Sequence, residues 1–203
     1  MSSHSAEANN VPLEYSTEDG KLKIFGFWVF LGAEVILFGT LFATYLVMFG
    51  RNGVGPDPKA LFTLKDLCIE TFALLISSFT GGLAVHEMRR GNVTGLKVWL
   101  IITVLLGLVF VGSEAKEFVD YVGKGANIPA GGYWSAFFTL VGTHGCHVSL
   151  GILWISGIII QLFRRGLNAE TARKVFISGL YWHFLDVVWI FIFTLVYLTG
   201  MVL

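Results

Sequence analysis

The sequence has few cysteines and few charged residues, and each shortage excludes some classes of function. Its only two cysteines, Cys68 and Cys146, are each predicted to lie within an apolar segment, where neither can form the paired thiols of a redox or zinc motif, so we interpret them as packing residues. Charged residues make up only 14% of the chain, and the formal net charge is zero. The sequence has no basic tail of the kind that binds nucleic acid. The sequence also contains no nucleophile elbow, Walker loop or glycine-rich nucleotide fingerprint.

Long apolar runs take the place of those missing features. Hydrophobic residues account for 55% of the chain, and the mean hydropathy of +0.72 is typical of a membrane protein. Because about 20 apolar residues span a bilayer as a helix, we predict an all-α polytopic integral membrane protein, a bundle of five transmembrane helices with no separate soluble domain. The predicted helices cover about residues 24–49, 67–87, 96–118, 133–163 and 175–202.

The two ends of the predicted helices differ in basic residues. Residues 1–23 are polar and acidic, and the apolar run after them is too long for a cleaved signal peptide, so we expect an uncleaved tail and a signal anchor. The side that carries this tail has nine lysines and arginines, whereas the other side has five. The positive-inside rule therefore predicts a multi-pass membrane protein with a cytoplasmic N-terminus and a C-terminus outside.

Small residues recur at a spacing that favours close helix packing. Ala73, Ser77 and Gly81 follow one another every four residues in the second apolar run. In lipid, such a ladder lets two helices approach closely and hydrogen-bond across their interface. We therefore predict an interhelical seam along this side of the second helix.

One carboxyl group is predicted near the middle of the membrane. Glu34 lies ten residues into the first apolar run, or about 15 Å along a helix. Hydrocarbon strongly disfavours a charged carboxylate, so this position needs an explanation. Three hypotheses remain open: a protonated structural carboxyl, a group that contacts lipid or a cation, and a member of a proton relay.

Three histidines and one aspartate lie inside the last two apolar runs. His144 and His147 are three residues apart in the fourth run, and His183 and Asp186 have the same spacing in the fifth, which places each pair on one side of a helix. The paired histidines could ligate a metal or could satisfy carbonyls and carboxylates of neighbouring helices. His183 and Asp186 could join helices as a hydrogen-bonded pair. Three mid-membrane imidazoles are too few ligands for a di-iron or multi-heme site.

Other ionisable groups lie near predicted helix ends. Glu70 is close to the outer end of the second helix, Glu114 and Glu117 close the third, and His86 lies at the cytoplasmic end of the second helix. Terminal charges of this kind usually reach water, so we expect them to be solvated.

Four segments carry the motifs of one known family. They are Phe30-Leu-Gly-Ala-Glu34-Val-Ile-Leu-Phe38, Leu105–Leu108 followed by Glu114–Phe118, Gly142-Thr-His144-Gly-Cys-His147-Val, and Tyr181-Trp-His183-Phe-Leu-Asp186-Val-Val-Trp189. In order and spacing they resemble subunit III of heme–copper respiratory oxidases across nearly all of residues 24–200. The first is similar to the segment that bears the family's intramembrane glutamate, the third to its His-Gly-x-His signature and the fourth to its final helix.

The resemblance implies an accessory role. The chain is similar to the short five-helix form, which lies in the bacterial plasma membrane. Within that form it most resembles the quinol oxidase version, the menaquinol oxidase of Gram-positive bacteria. Such a subunit carries no redox cofactor, braces the subunit I that holds hemes and copper, holds phospholipid and supports proton uptake. Subunits I, II and IV are its implied partners. The resemblance makes Glu34 the buried carboxyl, places His144, His147, His183 and Asp186 in an interhelical polar network, and gives Glu70, His86 and Glu117 a lesser part.

Other functions remain as alternatives to this one. The chain could be subunit III of a bacterial cytochrome c oxidase, because short subunits of both oxidase types look alike. It could also be a small transporter or proton channel that uses Glu34 and the His183–Asp186 pair as a relay, or a membrane metalloenzyme. The lack of an inverted repeat in the sequence counts against a transporter.

Overall fold

The computed structural model describes residues 12–51 and 53–202 and shows a bundle of long helices. Within that part of the chain there is no strand, and five helices are long and apolar enough to cross a membrane. They are α1 (Glu18–Met48), α2 (Leu64–Arg89), α3 (Val93–Gly123), α4 (Gly132–Arg165) and α5 (Ala169–Ile192). The predicted all-α membrane bundle is therefore confirmed.

The helices extend past the apolar runs into polar sequence. Helix α1 begins at Glu18, six residues before the predicted start at residue 24, because the Thr17 hydroxyl caps it by accepting from the Gly20 amide at 3.0 Å. Its first turns are further supported by an ion pair between Lys21 and Glu18 at 2.7 Å. Of the predicted polar tail, residues 1–11 lie outside the described residues, and residues 18–23 are helical.

Helix α5 has a defined start and an unusual end. Its cap is Asn168, whose side chain accepts from the Thr171 amide at 2.8 Å, so the helix begins six residues before the predicted start at residue 175. Beyond Ile192 the chain continues as a π-helical segment, Phe193–Leu198, and then as a helical turn to Val202. A π-helical segment of this kind rotates the side chains that follow it and is often found at functional sites.

Helices α4 and α5 form the centre of the bundle. Helix α4 contacts α1, α3 and α5, and α5 contacts α1, α2 and α4, while α2 and α3 pack along each other as an antiparallel pair. The outward faces of the helices expose large apolar side chains such as Phe25, Ile36 and Leu153, as expected of a surface in contact with lipid.

One tryptophan of α5 packs against three other helices. Trp182 of α5 is only 2% exposed and fits between Gly107 of α3 and Gly151 of α4; a methyl group added to Gly107 would lie 2.8 Å from its ring atom Cη2. Its indole N–H donates to the Ser77 hydroxyl of α2 at 3.0 Å. Ser77, like its ladder neighbours Ala73 and Gly81, is buried, so the ladder forms the close interface that its spacing predicts.

The N-terminal segment is held by an ion pair whose acidic partner is buried. A short 3₁₀ turn, Leu13–Tyr15, packs against α5 and places Glu14 where its side chain is fully buried. The Arg89 Nε at the end of α2 donates to Glu14 Oε1 at 3.0 Å, and Arg89 Nη2 lies 2.9 Å from the same oxygen. Tyr15 packs edge-on against Phe176 of α5.

Candidate functional site

The polar groups predicted to form one network make three separate contacts in the structure. The first joins α1 to α4. Glu34 is 8% exposed, and its Oε2 lies 3.3 Å from His147 Nε2, although the two atoms lack the angles of a hydrogen bond. The other ring nitrogen of His147, Nδ1, lies 2.7 Å from the Thr143 carbonyl oxygen. His147 is therefore held by its own helix while it faces the Glu34 carboxyl.

The second contact joins α4 to α5. His144 is completely buried, and its Nε2 donates to the Leu185 carbonyl oxygen at 3.2 Å. Its ring stacks on Trp189 with centroids 5.4 Å apart. His144 and His147 thus each contact a backbone carbonyl through one ring nitrogen, and His144 Nδ1 is buried without a hydrogen-bond partner among the described residues.

The third contact lies on the outer surface of the bundle, between α5 and α2. His183 is exposed, and its Nδ1 lies 2.7 Å from the Ser78 hydroxyl oxygen. Asp186 is 9% exposed, and its Oδ1 has no hydrogen-bond partner among the described residues. No hydrogen bond joins His183 to Asp186 within that part of the chain; the ring nitrogen Nδ1 contacts Ser78 instead.

The carboxyl groups near the end of the bundle where α2 begins and α3 ends are buried, which corrects the expectation that they are solvated. Glu70, Glu114 and Glu117 are 1%, 4% and 9% exposed. Glu70 and Glu117 lie between α2 and α3, whereas the Glu114 carboxyl lies against Gly145 of α4. The Tyr197 hydroxyl of the π-helical segment donates to Glu117 Oε2 at 2.8 Å. His86, in contrast, is exposed at the other end of α2.

Several contacts had no sequence signal that we recognised. The Ser78–His183 contact and the Glu14–Arg89 pair each join residues far apart in the sequence. Gly107 and Gly151 are single glycines, whose shared partner Trp182 emerges only when three helices are assembled. Small residues facing a buried tryptophan would mark such an interface, but the sequence does not show which helices are neighbours and therefore which glycines face Trp182.

These features define a class of protein: a polytopic membrane helix bundle with buried carboxyls and histidines. Across residues 12–51 and 53–202, no three or more histidine, cysteine, aspartate or glutamate side chains are placed to hold a metal ion. The chain belongs to the cytochrome c oxidase subunit III family, whose model matches residues 16–201. The resemblance drawn from the four motifs is thereby confirmed.

Individual relatives match the chain from end to end. It is 58% identical over 199 residues to "Quinol oxidase subunit 3" of Bacillus subtilis (strain 168), a match that covers 98% of each protein. It is 55% identical to "Probable quinol oxidase subunit 3" of Staphylococcus saprophyticus, with the same coverage. A protein of the same name from Staphylococcus aureus (strain USA300) is 53% identical over 191 residues, which are 94% of this chain and 95% of that protein.

Proposed function

We propose that this chain is the third, non-catalytic subunit of a proton-pumping quinol oxidase in the plasma membrane, where it braces a subunit I that holds hemes and copper. One observation carries the proposal: the chain matches a quinol oxidase subunit 3 over 98% of its length at 58% identity. Subunits II and IV complete the proposed complex.

Affinity purification of the tagged chain from aerobic membranes tests this function. We expect a complex that contains hemes and copper and oxidises quinol. A complex that instead oxidises reduced cytochrome c would replace the quinol assignment. Stoichiometric heme or copper in the chain purified alone would contradict the accessory role, and proton flux through the pure reconstituted chain would favour a channel.

The surface around His183 is the face that we propose docks on the partner subunit. His183 lies about 21 Å from the start of α5, far from either end of that helix. Ionisable side chains at this depth normally face protein or water, yet this one is exposed in the isolated chain. A partner helix with a polar side chain would satisfy His183 Nε2. This supports a brace built on polar contacts inside the membrane.

Replacing His183 with alanine is expected to weaken association with the heme-bearing subunit about 5- to 30-fold, because one or two intramembrane hydrogen bonds contribute roughly 1–2 kcal/mol. The fraction of heme protein retained on the tagged chain during a graded detergent wash measures the loss. His86→Ala is the matched control, since His86 is exposed at a helix end. Equal retention in the two variants would move the docking face elsewhere.

We further propose that Glu34 and His147 hold one proton between them. The Thr143 carbonyl can only accept, so the hydrogen of a neutral His147 is on Nδ1. Its Nε2 is then an acceptor, and it lies 3.3 Å from Glu34 Oε2. Two facing acceptors repel, and a proton on either residue removes the repulsion. A buried carboxyl with a proton of this kind supports the idea that this subunit assists proton uptake.

Glu34→Gln is expected to leave the stability of the complex within about 0.5 kcal/mol of wild type, because the amide can donate to His147 Nε2. Glu34→Leu leaves that nitrogen unpaired and is expected to cost about 1–3 kcal/mol. Thermal unfolding of the purified complex, monitored by loss of the heme-bound form, compares the two. If glutamine is as damaging as leucine, the carboxyl is charged rather than neutral.

A groove between α3 and α4 is the proposed lipid contact. It has a volume of about 510 Å³, is lined almost wholly by apolar side chains such as Val111, Phe118 and Leu153, and opens towards the membrane. An acyl chain fits this shape and chemistry. Mass spectrometry of the purified complex after detergent exchange tests the proposal, and loss of all phospholipid would count against it.

The orientation remains the one that the basic residues predict, with the N-terminus cytoplasmic. The Arg89–Glu14 clamp lies at the basic end of the bundle, and Glu70 and Glu117 near the opposite end. Labelling of single cysteines introduced at Gly91 and Val54, in loops at the two ends, with a membrane-impermeant reagent in intact cells checks this: only the Val54 position is expected to react.

A further inference from the structure

A small pocket near the end of the bundle opposite the N-terminal segment contains carboxyl groups from two helices. It lies between α2 and α3, has a volume of about 80 Å³, and is lined by Asp66 and Glu70 on one side and by Glu117 and Asp120 on the other. Glu70 and Glu117 are each about 9 Å from the end of their helix and form the inner wall. Asp66 and Asp120 are exposed and frame the opening.

Glu70 is the feature that points to a ligand. Its side chain is only 1% exposed, and neither carboxyl oxygen has a hydrogen-bond partner among the described residues. A buried carboxylate without a donor or counter-charge is unfavourable by several kcal/mol. The group must therefore receive a hydrogen or a positive charge from something that the described chain does not supply.

The neighbours of Glu70 do not remove this need. Tyr197 gives its hydroxyl hydrogen to Glu117, and Lys116, the only basic residue that lines the pocket, forms no ion pair within the described part of the chain. The titratable groups that face Glu70 are Asp66 of α2, Glu114, Glu117 and Tyr121 of α3, and Tyr197 of the π-helical segment. All of the carboxyls in this set add negative charge or compete for the same hydrogen.

A proton fits this pocket better than a metal ion does. The volume holds only a few water molecules, and no three carboxyl groups of the described chain are placed to coordinate one ion. We propose that Glu70 and Glu117 form a proton-binding site that exchanges with water through the opening between Asp66 and Asp120. A hydronium ion at the opening gives its proton to Glu70 and leaves as water, and the neutral carboxyl no longer places an unpaired negative charge in the pocket. This site goes beyond the proposed function and does not depend on the electron donor.

Infrared difference spectroscopy of the purified complex tests the site directly. We expect the carbonyl-stretch signal of protonated carboxyls to include one group per chain from this pocket, a component that disappears as the pH is raised and shifts in D₂O. Glu70→Gln should remove that component and leave the signal of Glu34 in place. Glu170→Gln, which alters an exposed glutamate at the other end of the bundle, should leave it unchanged.

Two outcomes would overturn the proposal. A spectrum that Glu70→Gln leaves unchanged would show that Glu70 is not protonated, and a band abolished at constant pH by millimolar Mg²⁺ or Ca²⁺ would assign the pocket to a metal ion. If Glu70→Gln prevents folding, Tyr197→Phe replaces it, because loss of the hydrogen bond to Glu117 should shift the same band. The measurement also works on the full chain purified alone in detergent, so a failure to copurify with an oxidase is a separate result.

Discussion

Replacing Trp182 with alanine is expected to destabilise the protein by about 3–5 kcal/mol. The indole fills the space between α3 and α4 at Gly107 and Gly151, two positions that have no side chain of their own to fill the cavity. The substitution also leaves the Ser77 hydroxyl without its donor. Since whole domains are stable by only about 5–15 kcal/mol, much of the margin would disappear.

Trp154→Ala is the matched control for this prediction. Trp154 is on α4 and is 36% exposed. Its ring makes an edge-on contact with Phe27 of α1. Its removal leaves a surface that lipid or detergent can cover, so we expect a loss below about 1.5 kcal/mol. Unfolding of both variants in a denaturing detergent titration, followed by circular dichroism, measures the difference. Equal losses would show that the interface at Trp182 contributes no special stability.

The same interface predicts an effect from the other side. A methyl group on Gly107 would lie 2.8 Å from Trp182 Cη2 and 3.2 Å from Ile152 Cγ1, so larger side chains at this position must push α3 away from α4 and α5. Overpacking of this kind typically costs 1–3 kcal/mol, which is roughly the amount expected for Gly107→Val. Partial recovery in the double variant Gly107→Val, Trp182→Phe would show that the clash is with this ring.

The number and positions of the helices could be predicted from the sequence because apolar runs must match the thickness of the bilayer. The ends could not be predicted in the same way. Charged residues mark where the membrane ends, but a helix continues until a cap or turn stops it, as Thr17 and Asn168 show at the starts of α1 and α5. For this reason the helices begin or end several residues beyond the apolar runs.

Sequence position predicted the depth of each polar side chain but not what it faces. Glu114 and Glu117 are one turn apart near the end of α3, and depth alone indicated solvation. The structure buries both, because Glu117 faces α2 and the π-helical segment and Glu114 faces Gly145 of α4. His183 shows the reverse case. Its mid-membrane position indicated a buried contact, yet the side chain is exposed, because the surface that we propose to cover it belongs to another chain.

Arg89→Ala is expected to release the N-terminal segment from the bundle, with a cost of about 3–5 kcal/mol to the closed form of that segment. The reason is the burial of Glu14, whose side chain has no exposure to solvent and whose Oε1 accepts a hydrogen bond from Arg89 Nε and forms an ion pair with Nη2. Without the guanidinium the carboxylate is a buried charge with no partner. It escapes when the segment over Leu13–Tyr15 leaves α5 and takes Tyr15 off the Phe176 ring.

The reverse substitution should be much milder, and this asymmetry is the sharpest test of the clamp. Glu14→Ala leaves a guanidinium that is already half exposed and can turn to water, so the closed form should lose only about 1 kcal/mol. Hydrogen exchange of the amides around the turn, together with cleavage by a protease, measures the opening in each variant. Arg90→Ala, at an exposed neighbouring arginine, is the control and should behave as wild type. If Glu14→Ala opens the segment as much as Arg89→Ala does, the attraction between the two residues holds the segment and the unpaired carboxylate adds no penalty. If neither substitution opens it, packing alone holds the segment.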